Sequence, residues 1–166
     1  PVEVRERLSI CGSNLDSAYQ VLMNNENLEG VVILATCNRT EIYATTRDVS
    51  KGSKALEDFL AKYSGFKHDI LQKYLYKPSC YDTIRHLFNV TSGLDSMVLG
   101  EAQIISQVKE AYQSAINAGA SDGVLNSLFQ KAIYVGKRVR TETTIDKHSL
   151  SVSAIAVELA RQILGE

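Results

Sequence analysis

In the stretch ATCNRTE, Cys37 and Arg39 stand two residues apart, between the apolar run 31–35 and a mixed segment that opens at Glu41. A thiol at the end of an apolar strand reads most simply as a small buried hydrophobe. Arg39 adds a second reading, because a neighbouring cation favours thiolate, the nucleophilic form, over thiol. Thr36, Asn38 and Thr40 crowd the same turn with hydrogen-bonding groups that packing does not require. A polarisable sulfur, a means of ionising it and polar groups to hold a carbonyl are what an acyl-transfer nucleophile needs. Arg39 itself is either a surface arginine paired with Glu41 or a fork for a substrate carboxylate, whose geometry guanidinium matches bidentately.

Further along, His86 falls on a helical stretch between core positions. It is a structural histidine or, if the fold brings it near Cys37, a proton shuttle. The segment SGLDSMVLGEAQIISQVK, residues 92–109, places Gly93 and Gly100 around Asp95, Ser96 and an apolar MVL, with Glu101, Gln103 and Gln107 following. Asp95 or Ser96 could cap the next helix, and Glu101 in its first turn would suit the helix dipole. Ser96, Glu101 and Gln107 taken together fit the lining of a pocket better than a cap. Lys131, Lys137, Arg138 and Arg140 form a basic cluster, read either as a solvated face or as a contact for a phosphate backbone, with salt-sensitive affinity.

The bulk properties narrow the options. The sequence has 166 residues, 45% hydrophobic and 22% charged, enough to bury a core. A net charge of −1 supplies no global drive toward nucleic acid, so any such contact must be local. No apolar run reaches the ~20 residues needed to span a bilayer, and the N-terminus lacks signal-peptide character, so no membrane partner is expected. Cys11, Cys37 and Cys80 are widely spaced, as are His68, His86 and His148. Neither a disulfide framework nor a metal site is indicated, and a reducing cytoplasmic compartment fits.

The elements that must position these residues follow from periodicity. Residues 13–24 read as a helix, 31–35 as a buried strand, 41–47 as a second strand, 53–63 as a helix and 71–76 as a last strand. With one strand ahead of Pro1 the order becomes β-α-β-β-α-β, so the expectation is an α+β fold: a ferredoxin-like split β-α-β sandwich whose first strand is missing. Pro78 divides this part from a helical one, with helices at 81–91, 101–118 and 124–139. A last apolar stripe from Leu150 looks like the start of a long connecting helix. The expected division is 1–78, 79–146 and 147–166, with the sequence cut at both ends.

The motifs ATCNRTEIYA, HLFNVTSGLDSMVLGEAQIISQVKEAY and GKRVRTET followed by SVSAIAVELA strongly resemble the glutamyl-tRNA reductase family, over essentially the whole chain. The resemblance implies a catalytic domain that reduces glutamyl-tRNA with NADPH to glutamate-1-semialdehyde, opening five-carbon tetrapyrrole (heme, porphyrin) synthesis. It implies that Cys37 attacks the aminoacyl ester to give a thioester, that His86 assists, and that Thr36, Arg39, Ser96, Glu101 and Gln107 contact the glutamyl group. NADPH-binding and dimerisation domains would follow the last helix, giving a homodimer, and glutamate-1-semialdehyde aminomutase would be a partner. No dinucleotide glycine fingerprint occurs here, so this chain alone is not expected to complete the reduction. The competing expectations are a stand-alone thiol esterase of aminoacyl esters and a non-catalytic tRNA-binding module.

Overall fold

Val31, Val32, Ile33 and Leu34 are each no more than 2% exposed, so the strand they form is covered on both faces. The computed structural model describes residues 2–101, 103–145 and 152–164. Within them the strand is β1, Gly30–Ala35, paired antiparallel with β2, Thr40–Thr45, in the register Leu34↔Glu41 and Ala35↔Thr40. Around this hairpin lie α1 (Val2–Leu8), α2 (Ser13–Met23), α3 (Val49–Ser64), α4 (His68–Leu71), α5 (Tyr81–Thr91), α6 (Gln103–Asn117), α7 (Gly123–Glu142) and α8 (Val152–Leu164). The chain is α+β and rich in helix.

Helices α2 and α6 pack against β1, and α7 packs across α5 and α6. One apolar core runs through both halves, from Val32 and Tyr43 of the hairpin to Leu87 of α5, Val108 of α6 and Phe129 of α7. Tyr43 meets Phe129 edge-on with ring centroids 5.3 Å apart. The helix ends are fixed locally. Asp48 accepts from the amides of Ser50 and Lys51 at the start of α3, and Asp122 accepts from Leu125 at the start of α7, as N-caps do. The other oxygen of Asp122 accepts from the Thr45 hydroxyl at 2.7 Å, tying α7 to the end of β2. Midway along α7, a side chain on Gly136 would come within 2.8 Å of the Thr91 carbonyl. Its absence lets α5 and α7 pack closely.

One expectation changes. Residues 71–76 do not form a strand: Leu71 ends α4, and 72–80 run as an irregular strap to α5. Leu71 is 1% exposed and packs with Leu8 and Ala61, with Leu75 against them. That i, i+4 burial is not the alternation of a strand, and among the described residues no strand pairs with the segment. Residues 2–8, left unassigned from sequence, are helical. The last helix is present as Val152–Leu164, while its expected start at Leu150 lies outside the described residues. A cleft of about 850 Å³ runs along β2, walled by α1, α3 and the strap.

Candidate active site

Four residues, Thr36 to Arg39, join β1 to β2. The Thr36 amide donates to the Arg39 carbonyl at 2.8 Å. The Thr36 hydroxyl oxygen accepts from the amides of both Asn38 and Arg39 at 3.2 Å. A threonine side chain thus closes the turn on itself, which leaves Cys37 exposed at the tip. The packing reading of Cys37 fails on that exposure.

Facing the turn is the loop between α5 and α6. Gly93 and Gly100 both adopt φ of +75°, where a Cβ is disfavoured, and the Gly100 amide donates to the Gly93 carbonyl at 2.9 Å. A Cβ on Gly93 would lie 3.0 Å from the Gly100 Cα, and one on Gly100 would collide with the Ile145 carbonyl oxygen. The two glycines therefore pinch the base of the loop. Arg140 braces it from α7, donating to the carbonyls of Gly100 and Glu101. This removes Arg140 from the expected basic cluster. Arg138 pairs with Glu142 at 2.6 Å, and Lys131 lies 5.8 Å from the Tyr134 ring centroid.

Turn and loop enclose a cleft of about 340 Å³ that gathers Thr36, Cys37, Arg39, Ser96, Glu101 and Gln107, with Arg5, Asn38, Leu94, Asp95, Met97 and Ile104. Six of the seven residues singled out from sequence share this one space. His86 does not line it. It stands at the end of the larger cleft, behind Arg39, which lines both.

Arg39 is held on two sides. Its Nη1 lies 3.0 Å from Glu41 Oε1 and 3.1 Å from Asp95 Oδ2, and its Nη2 donates to the Asp95 carbonyl. Burial works against its charge, but the two carboxylates more than offset this and raise its pKa. Asp95 is consequently no helix cap; α6 begins only at Gln103.

The sequence offers Glu41 only as a surface partner for Arg39; the pair forms, but Glu41 is buried and holds a wider network. Its side chain is 5% exposed, and it accepts hydrogen bonds from Arg39, Tyr43, Tyr76 and His86. Burial opposes its ionisation, yet the hydrogen bonds from His86, Tyr43 and Tyr76 and the charge of His86 hold its pKa at about 2. The same contacts act in reverse on the partners. Hydrogen bonding to Glu41 raises the His86 pKa against the effect of burial. Burial and the adjacent carboxylate push both tyrosines well above the phenol range. The register places this carboxylate opposite Leu34 of the buried strand, where a charge needs partners.

Fold and site define an α+β domain that presents an exposed thiol beside a half-buried guanidinium in a shared cleft. Residues 1–143 match the family described as glutamyl-tRNAGlu reductase, N-terminal domain. Two relatives called glutamyl-tRNA reductase, from Pelotomaculum thermopropionicum and Heliobacterium mobile, are 54% and 52% identical over 99% of the chain. The solved glutamyl-tRNA reductase from Methanopyrus kandleri superposes with a TM-score of 0.73 at 34% identity, over 98% of this chain and 37% of that one. The chain belongs to the glutamyl-tRNA reductase N-terminal domain family. It spans 37% of the length of those two curated relatives.

Proposed function

We propose that this chain is the catalytic, substrate-loading part of an enzyme that reduces glutamyl-tRNA to glutamate-1-semialdehyde in tetrapyrrole synthesis. The Cys37 thiolate attacks the carbonyl carbon linking glutamate to the tRNA ribose. The new C–S bond replaces the ester C–O bond, and the ribose oxygen leaves with a proton as free tRNA. The product is a thioester on Cys37, more electrophilic than the ester it replaces. Arg39 grips the glutamate side-chain carboxylate, Thr36 holds the turn that presents the sulfur, and Ser96, Glu101 and Gln107 line the space for the rest of the glutamyl group. His86, whose imidazole can carry a proton on either ring nitrogen, handles the proton from its position beside Arg39 and Asp95.

Reduction of the thioester needs hydride, which NADPH would supply. The described residues do not fit that cofactor: β1 leads into a second strand rather than a helix, and the glycine pair at 93 and 100 is filled by its own backbone and Ile145. No step of the reduction is assigned to them. A homodimer, an aminomutase partner and a cytoplasmic setting belong to the same reading of the longer enzyme. So does the division into 1–78, 79–146 and a connecting helix from 147, although the first two parts share one core. Among the described residues no helix is long and apolar enough to cross a membrane.

The observation that carries this reading is the single cleft that brings Cys37, Arg39, Ser96, Glu101 and Gln107 together from distant parts of the sequence. Incubation with glutamyl-tRNA and trapping of the acyl-enzyme tests it. The expected result is one glutamyl adduct on Cys37, lost in Cys37→Ser. Equal adduct in that variant would dismiss the nucleophile, and tRNA binding without any adduct would favour a non-catalytic module. Turnover without NADPH and without the remaining domains would favour a thiol esterase.

A further inference from the structure

We propose that Tyr76 is a positioning residue: together with Glu41 it fixes the His86 ring through Nε2–H, leaving Nδ1 as the ring nitrogen open toward the substrate cleft.

The assignment follows from counting protons around one oxygen. Glu41 Oε1 receives Arg39 Nη1 at 3.0 Å, the Tyr76 hydroxyl, and His86 Nε2 at 2.9 Å. An ionised carboxylate oxygen only accepts, and a side chain 5% exposed among these donors has every reason to be ionised. Nε2 must therefore carry a proton. The Tyr76 proton is directed at the same oxygen, so the face that Tyr76 turns to Nε2, 3.3 Å away, is its lone pairs. Both neighbours of Nε2 thus demand an N–H there. Swapping the ring over would set a carbon against Oε1 and forfeit both contacts.

Tyr76 also blocks the swap sterically. Its ring packs edge-on against the imidazole, with centroids 5.1 Å apart and planes at 63°. The strap that carries it is tethered on both sides of the tyrosine to Glu57 of α3, by Gln72 at 3.4 Å and Lys77 at 2.9 Å. On the opposite edge of the imidazole, Nδ1 lies 3.9 Å from Asp95 Oδ2. Asp95 in turn lines the cleft that holds Cys37. The strap therefore acts on the Cys37 cleft through Glu41 and His86 without lining it. What this means for acyl transfer rests on the role given to His86 above; the nitrogen assignment does not.

The 166-residue chain, labelled with ¹⁵N, has three histidines, which makes the imidazole spectrum readable. Tyr76→Phe keeps the ring and removes the hydroxyl. In the parent, neutral His86 should carry its proton on Nε2, and that proton should exchange slowly with water. In Tyr76→Phe exchange should quicken at least about tenfold, the factor that a hydrogen bond to a charged group carries, with His68 unchanged. Tyr76→Leu, which removes the ring as well, should quicken it further, the backbone amide spectrum showing that the fold is kept. A neutral His86 protonated on Nδ1, or exchange unchanged in Tyr76→Phe, overturns the proposal. Acylation of Cys37 by glutamyl-tRNA separates this from the functional reading. The expected result is a slower acylation step in Tyr76→Phe with half-saturation unchanged. A clear NMR effect with an unaltered acylation rate would instead remove His86 from the reaction.

Discussion

Asp95 holds Arg39 twice, through a carboxylate oxygen 3.1 Å from Nη1 and through its own backbone carbonyl at Nη2. An internal acid therefore occupies the guanidinium that a substrate carboxylate would require. Its side chain is 54% exposed, so the contact is a weak one that a ligand can displace.

Removing that competitor should strengthen binding. Asp95→Asn is expected to lower the glutamate concentration that protects Cys37 from alkylation by up to about fivefold, the range of an exposed ion pair. Peptide mapping separates Cys37 from Cys11 and Cys80, which are also exposed and serve as internal controls. Protection that weakens in this variant would mean that Asp95 helps the ligand bind.

Arg39→Lys should do the opposite. Lysine keeps the charge and loses the bidentate fork. Protection by glutamate is expected to weaken about tenfold or more, the worth of a charge-assisted hydrogen bond. The rate of Cys37 alkylation without glutamate should change far less. A reversed order of effects would make Arg39 chiefly an activator of the thiol.

The Glu41–His86 pair predicts a stability plateau bounded on both sides. Glu41 has its folded pKa depressed to about 2 from 4.5, so its contribution is complete above the unfolded value and disappears as pH falls toward 2. His86 has its pKa raised, so its contribution is complete below the ordinary ~6.5 and is lost as pH rises through the folded value. Glu41→Gln should destabilise the chain by about 1–3 kcal/mol on the plateau and flatten the alkaline side, as measured by thermal unfolding across pH. An alkaline slope that persists in this variant would have to come from other groups.

Gly100→Ala tests the pinch beneath the loop. The added methyl meets the Ile145 carbonyl at a φ of +75°, and a Cβ in left-handed backbone alone costs about 1–2 kcal/mol. Unfolding should shift accordingly, and glutamate protection of Cys37 should weaken because the loop carrying Ser96 is displaced. Protection equal to the parent would show that the loop's base and tip are uncoupled.

The legible parts of the molecule were those set by short-range pattern. The run Val31–Leu34 announced a doubly covered strand, and the stripes on α5, α6 and α7 announced packed helices. The cleft residues were legible through motif resemblance rather than through periodicity. The Glu41 network was hidden because a carboxylate in an alternating strand looks solvent-facing, and its four donors come from the β1–β2 turn, β2, the strap and α5. Tyr76 was masked for a related reason. The apolar and aromatic content of 71–76 suggested a strand, but a strand exists only where a neighbour offers a ladder, and that is decided by tertiary structure. Asp95 resembled a cap until the true start of α6 fell eight residues later.

The β1–β2 register has a consequence for how activity should be counted. Because side chains alternate across a sheet, sliding the hairpin by one position would turn Glu41 outward and strand Arg39, His86 and two tyrosines together. A slipped pairing would therefore take Glu41 away from Arg39 and His86 altogether. Specific activity of a preparation should thus scale with the fraction of correctly zipped molecules, so a stoichiometric label on Cys37 that glutamate blocks would serve as a census of the folded population.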